Sequence, residues 1–174
     1  MKNTRYTAHG NPTAADCVIG CSFGFRAVNQ LVTPGIVNQE LARFIAKNCA
    51  DKPLILQFEI DDALQAMLPP TAARQTALRI EKETTSYLET RDLLLKAQAF
   101  MAARGYKTAL LVGQTHHIAR IDAICRKLGV ETIVPEQLPA LWDSASRQWW
   151  TRSPLSWRLR EPAVILHHTV KRWV

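Results

Sequence analysis

The sequence contains few glycines and lacks the glycine-rich loops that commonly bind phosphate groups. Only 7 of its 174 residues are glycine. The segment GCSFGFR (20–26) fits neither G-x-G-x-x-G nor the Walker pattern G-x-x-x-x-G-K-[ST], which excludes these two nucleotide signatures for this loop. Ser22 and Arg26 of this segment can still contact a ligand. Interpreting residues 20–26 as a simple turn is more conservative.

The cysteine spacings of a zinc site are also missing. The four cysteines show no C-x-x-C pair and no histidine at zinc-finger distance, so no metal is expected. Cys17 and Cys21 lie four residues apart in an apolar strand-like run, and they therefore point to one side. We predict that the cysteines are buried free thiols.

No apolar run approaches the roughly 20 residues that a membrane helix needs. The N-terminal residues MKNTRYTAHGNPTAADC show no apolar stretch typical of a secretory signal. We therefore expect no transmembrane segment and a cytoplasmic location.

Positive charge is concentrated near the C-terminus. The net charge is +7, from 22 basic and 15 acidic residues. Between residues 147 and 172 the one acidic residue is Glu161, and the basic residues are Arg147, Arg152, Arg158, Arg160, Lys171 and Arg172. Such a segment can approach an acidic partner, a nucleic acid or an anionic membrane, but solvated surface charge is the commoner explanation. Nucleic-acid binding is not expected, because the sequence shows neither an RNA-binding aromatic motif nor a helix-turn-helix signature.

Strand-like and helix-like segments alternate along the chain, a pattern typical of parallel β-α units. The length suits one domain with a substantial core. The apolar runs that we predict to be strands are DCVIGC, KPLILQF, TALRI, KTALLVG and ETIVP. Five strands with intervening helices predict a single α/β domain, a Rossmann-like three-layer sandwich whose open sheet is mainly parallel.

Helices are predicted between these strands from apolar spacing and end signals. They are a helix capped by Thr33, a short turn over DDALQAMLPP, a long helix from about Ser86 to Arg104 stopped by Gly105, and a helix from His116 ended by Gly129. Residues 1–14 are expected to be flexible, and residues 137–174 to form an aromatic and basic helical segment. Ser153 and Pro154 indicate a helix start there, while AVILHH (163–168) could instead be a strand.

In an open sheet of this kind, ligands bind beyond the carboxyl ends of the strands, where the strand order reverses. The loops 20–26 and 113–117 would follow the first and fourth strands and flank one crevice. The segment KTALLVGQTHHIAR (107–120) carries two histidines and an arginine at this position. The histidines therefore lie where this architecture usually binds its ligand.

His116, His117 and Arg120 are arranged as in an anion site. If Thr115 caps a helix beginning at His116, Arg120 lies one turn from either imidazole. Free backbone N–H groups and the positive end of the helix would point into the same space, lined also by Gln114. The alternative is a histidine pair that only hydrogen-bonds to neighbouring loops, and the spacing favours neither.

The segment EKETTSYLET supplies two carboxylates near the crevice. Ser86 and Glu89 have the spacing of a capping box, which explains Glu89 without any chemistry. Glu83 is not explained in this way and could act as a general base or bind a ligand hydroxyl. A triad of Ser22, His117 and Glu83 can be drawn but carries little weight.

Four tryptophans follow the last predicted strand, namely Trp142, Trp149, Trp150 and Trp157. They could form the wall of a pocket for an aromatic ligand. Packing of a late helix against the domain is the more frequent role of such residues, and we favour it.

The motifs together resemble those of the YdcF/SanA/ElyC family of bacterial domains, over residues 16–160. That family has an E-S-x-x-T-x-E-N segment before a long helix and a T-S-x-x-H-x-x-R-A segment after a strand. ETTSYLET is similar to the first segment at Glu83 and Glu89, and LLVGQTHHIAR to the second at His117 and Arg120. LQFEI departs from the family's Ser-Gly-Gly-like turn, and the first loop lacks its paired glycines.

The resemblance implies a Rossmann-like fold with functional roles for His117, Arg120, Glu83 and Glu89. It also implies a small anionic or nucleotide-like ligand, such as the S-adenosylmethionine suggested for one branch of the family. His117 would hydrogen-bond the ligand or act as an acid or base, because its unperturbed pKa lies near neutrality.

We therefore expect a small anionic or nucleotide-like ligand in the crevice, with hydrolysis or group transfer as the reaction if there is one. One alternative is a non-catalytic module that meets an acidic partner or nucleic acid through its basic C-terminal segment. Another is a family member whose site is disabled. Ligand binding in the crevice requires that the His117 imidazole and the Arg120 guanidinium border a cavity.

Overall fold

Helices and strands alternate in the computed structural model, which describes residues 6–29, 31–69, 76–82 and 88–171. In chain order they are β1 (Cys17–Gly20), β2 (Arg26–Val28), β3 (Leu31–Thr33), α1 (Ile36–Asn48), β4 (Leu54–Gln57), α2 (Phe58–Met67), β5 (Thr76–Ile80), α3 (Thr90–Arg104), β6 (Thr108–Val112), α4 (Ile118–Lys127), β7 (Glu131–Ile133) and α5 (Pro154–Val170). Short 3-10 turns lie at Pro12–Ala14 and Trp149–Thr151.

Five of the strands form one parallel sheet in the order β5-β4-β1-β6-β7. Counted along the chain, this order is 3-2-1-4-5, which matches the first five strands of the doubly wound Rossmann order 3-2-1-4-5-6. The predicted α/β Rossmann-like fold is confirmed. The strand order reverses between β1 and β6, whose last residues Gly20 and Val112 are paired.

Helices cover both faces of the sheet, which explains why its central strands are apolar throughout. All four residues of β1 are buried. Cys17, Ile19 and Cys21 pack under α3 and α4, whereas Val18 packs under α1 and α2. The cysteines are buried free thiols, as predicted. Burial raises the pKa of Cys21 to about 12, so this thiol is not a nucleophile at neutral pH.

Three helices begin later than the sequence predicts: α1 and α3, described next, and α4, which begins at Ile118 instead of His116. Thr33 does not cap α1, because it belongs to an antiparallel hairpin formed by β2 and β3, and Gly35 is the N-cap instead. The long helix α3 begins at Thr90 with Glu89 as its N-cap, so the predicted start at Ser86 is wrong. Ser86 itself lies outside the described residues. Gly105 ends α3 with a φ of +71°, as expected of a C-terminal glycine.

The C-terminal segment forms the helix α5, and its predicted start is confirmed. Ser153 and Ser156 make a reciprocal capping box at its N-terminus, with N–H to Oγ distances of 3.2 and 3.1 Å. The helix continues through Pro162, and residues 163–168 are helical, so the strand alternative is wrong. None of the helices in the described part of the chain has the length and apolar character of a membrane span.

The N-terminal segment is tied to the end of β7. The Tyr6 hydroxyl donates to the carbonyls of Pro135 and Glu136, at 3.0 and 2.9 Å. His9 pairs with Val134 through two backbone hydrogen bonds. Residues from Tyr6 onward are thus joined to the chain after β7, and the flexibility of residues 1–14 stays a prediction.

Trp157 anchors α5 to the domain, with a side chain that is 5% exposed, whereas Trp149 is 48% exposed. We expect Trp157→Ala to lower the free energy of unfolding by about 3–5 kcal/mol, because it leaves a cavity beneath the helix. The control Trp149→Ala should change it by about 1 kcal/mol or less. Urea denaturation measures both, and equal losses would show that Trp157 is not the anchor.

Candidate functional site

The crevice predicted between the loops after β1 and β6 is filled by the chain's own aromatic rings. The ring of Phe23 lies 5.0 Å from that of Trp157 and 5.4 Å from that of Trp142. The His117 imidazole lies 5.7 Å from the Trp157 ring. Trp142 and Trp157 therefore pack against the domain, and a side chain of α5 occupies the position where an open Rossmann sheet binds its ligand.

The helix after β6 does not present the predicted anion site at its N-terminus. Its N-cap is His117 rather than Thr115, and Ile118 is its first residue. The N–H groups of His117 and Ile118 both donate to the Gln114 carbonyl, at 2.8 and 3.1 Å. These N–H groups are already satisfied, and so they do not point toward a ligand.

Gln114, Thr115 and His116 contact the segment that crosses over them at residues 139–142. The Gln114 Nε2 donates to the Leu141 carbonyl at 3.3 Å, and its Oε1 accepts from the His116 N–H at 2.6 Å. The Thr115 N–H donates to a carbonyl of the same segment at 3.2 Å. The His116 and Trp142 ring centroids are 4.7 Å apart. These contacts match the alternative interpretation, in which polar residues bond to neighbouring loops.

Arg26 has a structural partner in place of the predicted ligand. Its Nε and Nη2 donate to the two carboxylate oxygens of Asp143, at 2.8 and 2.7 Å. Asp143 is buried and also accepts from the Ile36 N–H at 3.3 Å. The pair joins the β2–β3 hairpin to the segment before α5.

Thr90, the first residue of α3, joins His117 to Arg120. Its Oγ1 lies 3.2 Å from the His117 Nε2 and accepts from the Arg120 Nη1 at 3.1 Å. His117 and Arg120 are only 6% and 8% exposed. Both still border a cavity, because Arg120 lines a cleft of about 290 Å³ and His117 a pocket of about 30 Å³. Each side chain therefore borders a cavity, His117 only the small pocket, and ligand binding stays a prediction.

Arg120 forms an ion pair with Glu161 of α5. The Arg120 Nε donates to Oε1 at 2.8 Å and Nη2 to Oε2 at 3.5 Å, so the carboxylate lies side-on to the guanidinium. A guanidinium removed from water needs such a partner, because an uncompensated buried charge is costly. Burial raises the pKa of Glu161, although the Arg120 charge partly offsets this. The pairing of Glu161 with Arg120 was not predicted. The only indication in the sequence was that Glu161 is a single acidic residue in a basic segment.

The cleft of about 290 Å³ lies between α5 and the first turns of α3 and α4. Its polar lining consists of Glu89, Thr90, Arg120, Arg160, His167 and His168. Glu89, which was predicted to contact a ligand, therefore lines this cleft. The Arg160 guanidinium stacks over the Trp150 ring, 4.1 Å from its centroid. Burial, together with neighbouring cations, lowers the pKa of His168 to about 4, so this imidazole is neutral at neutral pH.

His117 does not titrate near neutrality as the sequence suggests. Burial lowers its pKa well below the ordinary value, and the charges of Arg120 and Arg160 lower it further. The imidazole is therefore neutral at neutral pH and can accept a proton but not donate one as an acid. Its Nε2 contacts Thr90, and its Nδ1 has no hydrogen-bond partner within the described residues.

Ser22 lines the small pocket together with His117, and behind it lies Glu59, which sequence reasoning missed. Glu59 is 5% exposed, and its Oε2 has no hydrogen-bond partner in the described part of the chain. Burial raises the pKa of Glu59 to about 7, although hydrogen bonds lower it in part. The sequence does offer one indication of Glu59, because this acid lies in the apolar run LQFEI, directly after a strand.

Residues 20–24, GCSFG, have the G-x-S-x-G spacing of a serine nucleophile elbow. The elbow needs a strand that leads directly into a helix, whereas β1 leads into the β2–β3 hairpin. The Phe23 N–H, which would help to form an oxyanion hole, donates to the Asn38 Oδ1 at 2.9 Å. Gly24 makes the turn here with a φ of +76°. The spacing therefore does not produce a hydrolase site.

The triad of Ser22, His117 and Glu83 is likewise not supported. The His117 Nε2 contacts Thr90 rather than Ser22. Glu83 lies outside the described residues, so its predicted roles stay predictions.

The donors at the cleft suit an anion rather than a metal. Guanidinium, imidazole and hydroxyl groups all offer hydrogens to phosphate or carboxylate oxygens. Among residues 6–29, 31–69, 76–82 and 88–171, no three His, Cys, Asp or Glu side chains form a metal-binding group.

No family model matches the chain, and neither a curated protein nor a solved structure matches it. The resemblance to the YdcF/SanA/ElyC family therefore stays a prediction.

We expect Glu161→Gln to lower the free energy of unfolding by about 3 kcal/mol, because Arg120 stays buried without a counter-charge. The matched control is Glu40→Gln, which removes the more exposed ion pair with Arg43 and should cost about 1 kcal/mol or less. Chemical denaturation at neutral pH measures both variants. Similar costs would mean that the Arg120 pair behaves as a surface pair.

The raised pKa of Glu59 predicts a pH dependence of stability. Because this pKa rises from 4.5 to about 7, the folded protein keeps a proton that the unfolded chain releases. The stabilisation is fully present below pH 4.5, is lost as the pH rises through 7, and amounts to about 3 kcal/mol at most.

Glu59→Gln should remove this decline in the free energy of unfolding, measured by denaturation at a series of pH values. His117 and His168 act in the opposite direction, because their lowered pKa values cost stability below pH 6.5. Both histidines are present in the wild type and in Glu59→Gln. Their effect therefore cancels when the free energies of unfolding of the two proteins are subtracted at each pH. Parallel curves for the two proteins would contradict the raised pKa of Glu59.

Proposed function

We propose that the protein binds the anionic group of a small ligand, a phosphate or a carboxylate, in the cleft between α5 and the first turns of α3 and α4. One observation carries this: the buried Arg120 guanidinium, at the wall of the cleft, already holds the Glu161 carboxylate side-on. A ligand phosphate or carboxylate would present the same pair of oxygens. In this proposal the ligand's anionic group competes with the Glu161 carboxylate for Arg120.

Further hydrogen-bond donors support anion binding in this cleft. Arg160 and His167 line it from α5, and Glu89 is the one carboxylate among the described residues that line it. Burial is the largest cause of the lowered pKa of His117, and the charges of Arg120 and Arg160 lower it further. The positive potential that disfavours a protonated imidazole is the same one that attracts an anion.

The size of the cleft favours a small ligand. Its volume of about 290 Å³ lies at the lower edge of the roughly 300–1,000 Å³ typical of small-molecule sites. A phosphate, a carboxylate or a sugar phosphate fits this volume. A nucleotide-like ligand such as S-adenosylmethionine, which the family resemblance implies, would have to extend past α5. If the bound anion is also a substrate, hydrolysis or group transfer is the expected reaction, and the lowered pKa of His117 makes this imidazole a weak base.

Titration calorimetry with inorganic phosphate tests the site. Glu161→Gln should bind phosphate about tenfold more tightly than the wild type, because the competing carboxylate is gone and phosphate neutralises Arg120. Phosphate at a hundredfold excess over its Kd should also restore about 3 kcal/mol of stability to this variant. Arg160→Ala should weaken binding, whereas Arg158→Ala, an exposed cation of the same helix, should not.

Equal phosphate affinities in the wild type, Glu161→Gln and Arg160→Ala would move the site elsewhere. The same panel includes sugar phosphates, nucleotides and S-adenosylmethionine. Binding to heparin or RNA that weakens steeply with salt would favour the alternative of a basic C-terminal module. Absence of binding in both assays would favour a family member whose site is disabled.

A further inference from the structure

A second, smaller pocket lies beside the anion cleft. Its volume is about 30 Å³, and Thr90 lines both cavities. The pocket lies at the ends of β1, β4 and β6. The polar residues that line it there are Ser22, Gln57 and His117. A cavity needs roughly 10–15 Å³ to admit one water molecule, so this pocket holds a group of about that size.

Two buried polar atoms at this pocket have no hydrogen-bond partner within the described residues. One is the Nδ1 of His117, which lines the pocket, and the other is the Oε2 of Glu59, which lies behind Ser22. Buried polar groups are hydrogen-bonded in the large majority of cases, so each exception calls for a water or a ligand group. The pocket is therefore suited to a polar occupant.

The hydrogen-bond network determines what kind of occupant fits. The Ser22 N–H donates to the Gln57 Oε1 at 3.0 Å, and the Ser22 side chain is near enough to Glu59 to lower the pKa of its carboxyl. An ionised Glu59 favours the orientation in which the Ser22 hydroxyl hydrogen points toward it, which leaves the Ser22 oxygen as an acceptor.

The His117 tautomer supplies the complementary donor. Arg120 donates to the Thr90 Oγ1, so the Thr90 hydroxyl hydrogen is available for the His117 Nε2 at 3.2 Å. A neutral imidazole that accepts at Nε2 carries its proton on Nδ1. The Ser22 oxygen then offers an acceptor and the His117 Nδ1 a donor, and a hydroxyl group needs both; the Gln148 amide also lines the pocket.

We propose that this pocket binds a hydroxyl group of the ligand whose anionic group occupies the neighbouring cleft, which deepens the proposed function and rests on it. The ligand class is then a small hydroxylated anion, such as a polyol phosphate, a sugar phosphate or a hydroxy acid. Ser22 and His117 contact the hydroxyl. Glu59 is a positioning residue, because it acts through Ser22.

Glu59 makes recognition of the hydroxyl depend on pH. Its pKa of about 7 reflects burial first, and Asp62 of the same helix raises it further. Across the pocket, His117 titrates well below its ordinary pKa and Cys21 at about 12, so neither changes charge near neutrality. Arg120, beyond Thr90, stays charged throughout. The preference for a hydroxylated ligand should therefore increase as the pH rises through 7.

Titration calorimetry on the full chain compares three probes: inorganic phosphate, methyl phosphate and glycerol 3-phosphate. The two esters share the titration of the phosphate group, so the ratio of their Kd values isolates the hydroxyl. We expect the wild type to bind glycerol 3-phosphate about tenfold more tightly than methyl phosphate, a difference of the size of one or two hydrogen bonds. This ratio should rise between about pH 6 and pH 8.

Ser22→Ala should reduce the ratio to about one. Ser22→Cys, whose thiol is a weak acceptor and somewhat larger than the hydroxyl, should give the same loss. Glu59→Gln should make the ratio independent of pH. The control Ser144→Ala, at an exposed serine, should leave the ratio at its wild-type value.

An unchanged ratio in Ser22→Ala and Ser22→Cys, with methyl phosphate still bound, would overturn the hydroxyl pocket and leave the anion cleft intact. A ratio that stays pH-dependent in Glu59→Gln would remove Glu59 from its positioning role. Failure of inorganic phosphate to bind to either the wild type or Glu161→Gln would overturn the proposed function, and the hydroxylated ligand with it.

Discussion

The burial of one guanidinium determines how the carboxyl edge of the sheet is built. Arg120 is removed from water at the start of α4, and a charge in that position must be neutralised. Glu161, 41 residues further along the chain, supplies the carboxylate. Because Glu161 belongs to α5, the ion pair also holds that helix over the edge of the sheet, where Trp157 packs against Phe23. The helix fills the crevice of the Rossmann sheet and leaves the anion cleft along its side.

The fold could be predicted because its signals are local. The strands β1 and β6 are short apolar runs, as a sheet covered on both faces requires, and Gly105 marks the end of α3 within the sequence itself. The hairpin of β2 and β3 was missed because Val28 and Leu31 are exposed, so no apolar alternation indicates a buried face. That hairpin also takes Thr33 away from its predicted capping role.

The candidate site could be predicted only in part, because its residues come from distant parts of the chain. The spacing within one turn of helix identified His117 and Arg120. Their partner Thr90 lies 27 and 30 residues away and was not singled out. Glu59 sits in an apolar run, where periodicity indicates packing rather than chemistry. The low pKa of His117 depends on burial and on two arginines, which no local pattern reveals.

The role of Arg120 as an anion receptor is tested most directly by anomalous diffraction from crystals of Glu161→Gln soaked in selenate, a tetrahedral oxyanion like phosphate. We expect a selenium peak within hydrogen-bond distance of the Arg120 guanidinium, on the side of the cleft that Arg160 lines. Selenate bound at other cations, with none at Arg120, would contradict that role.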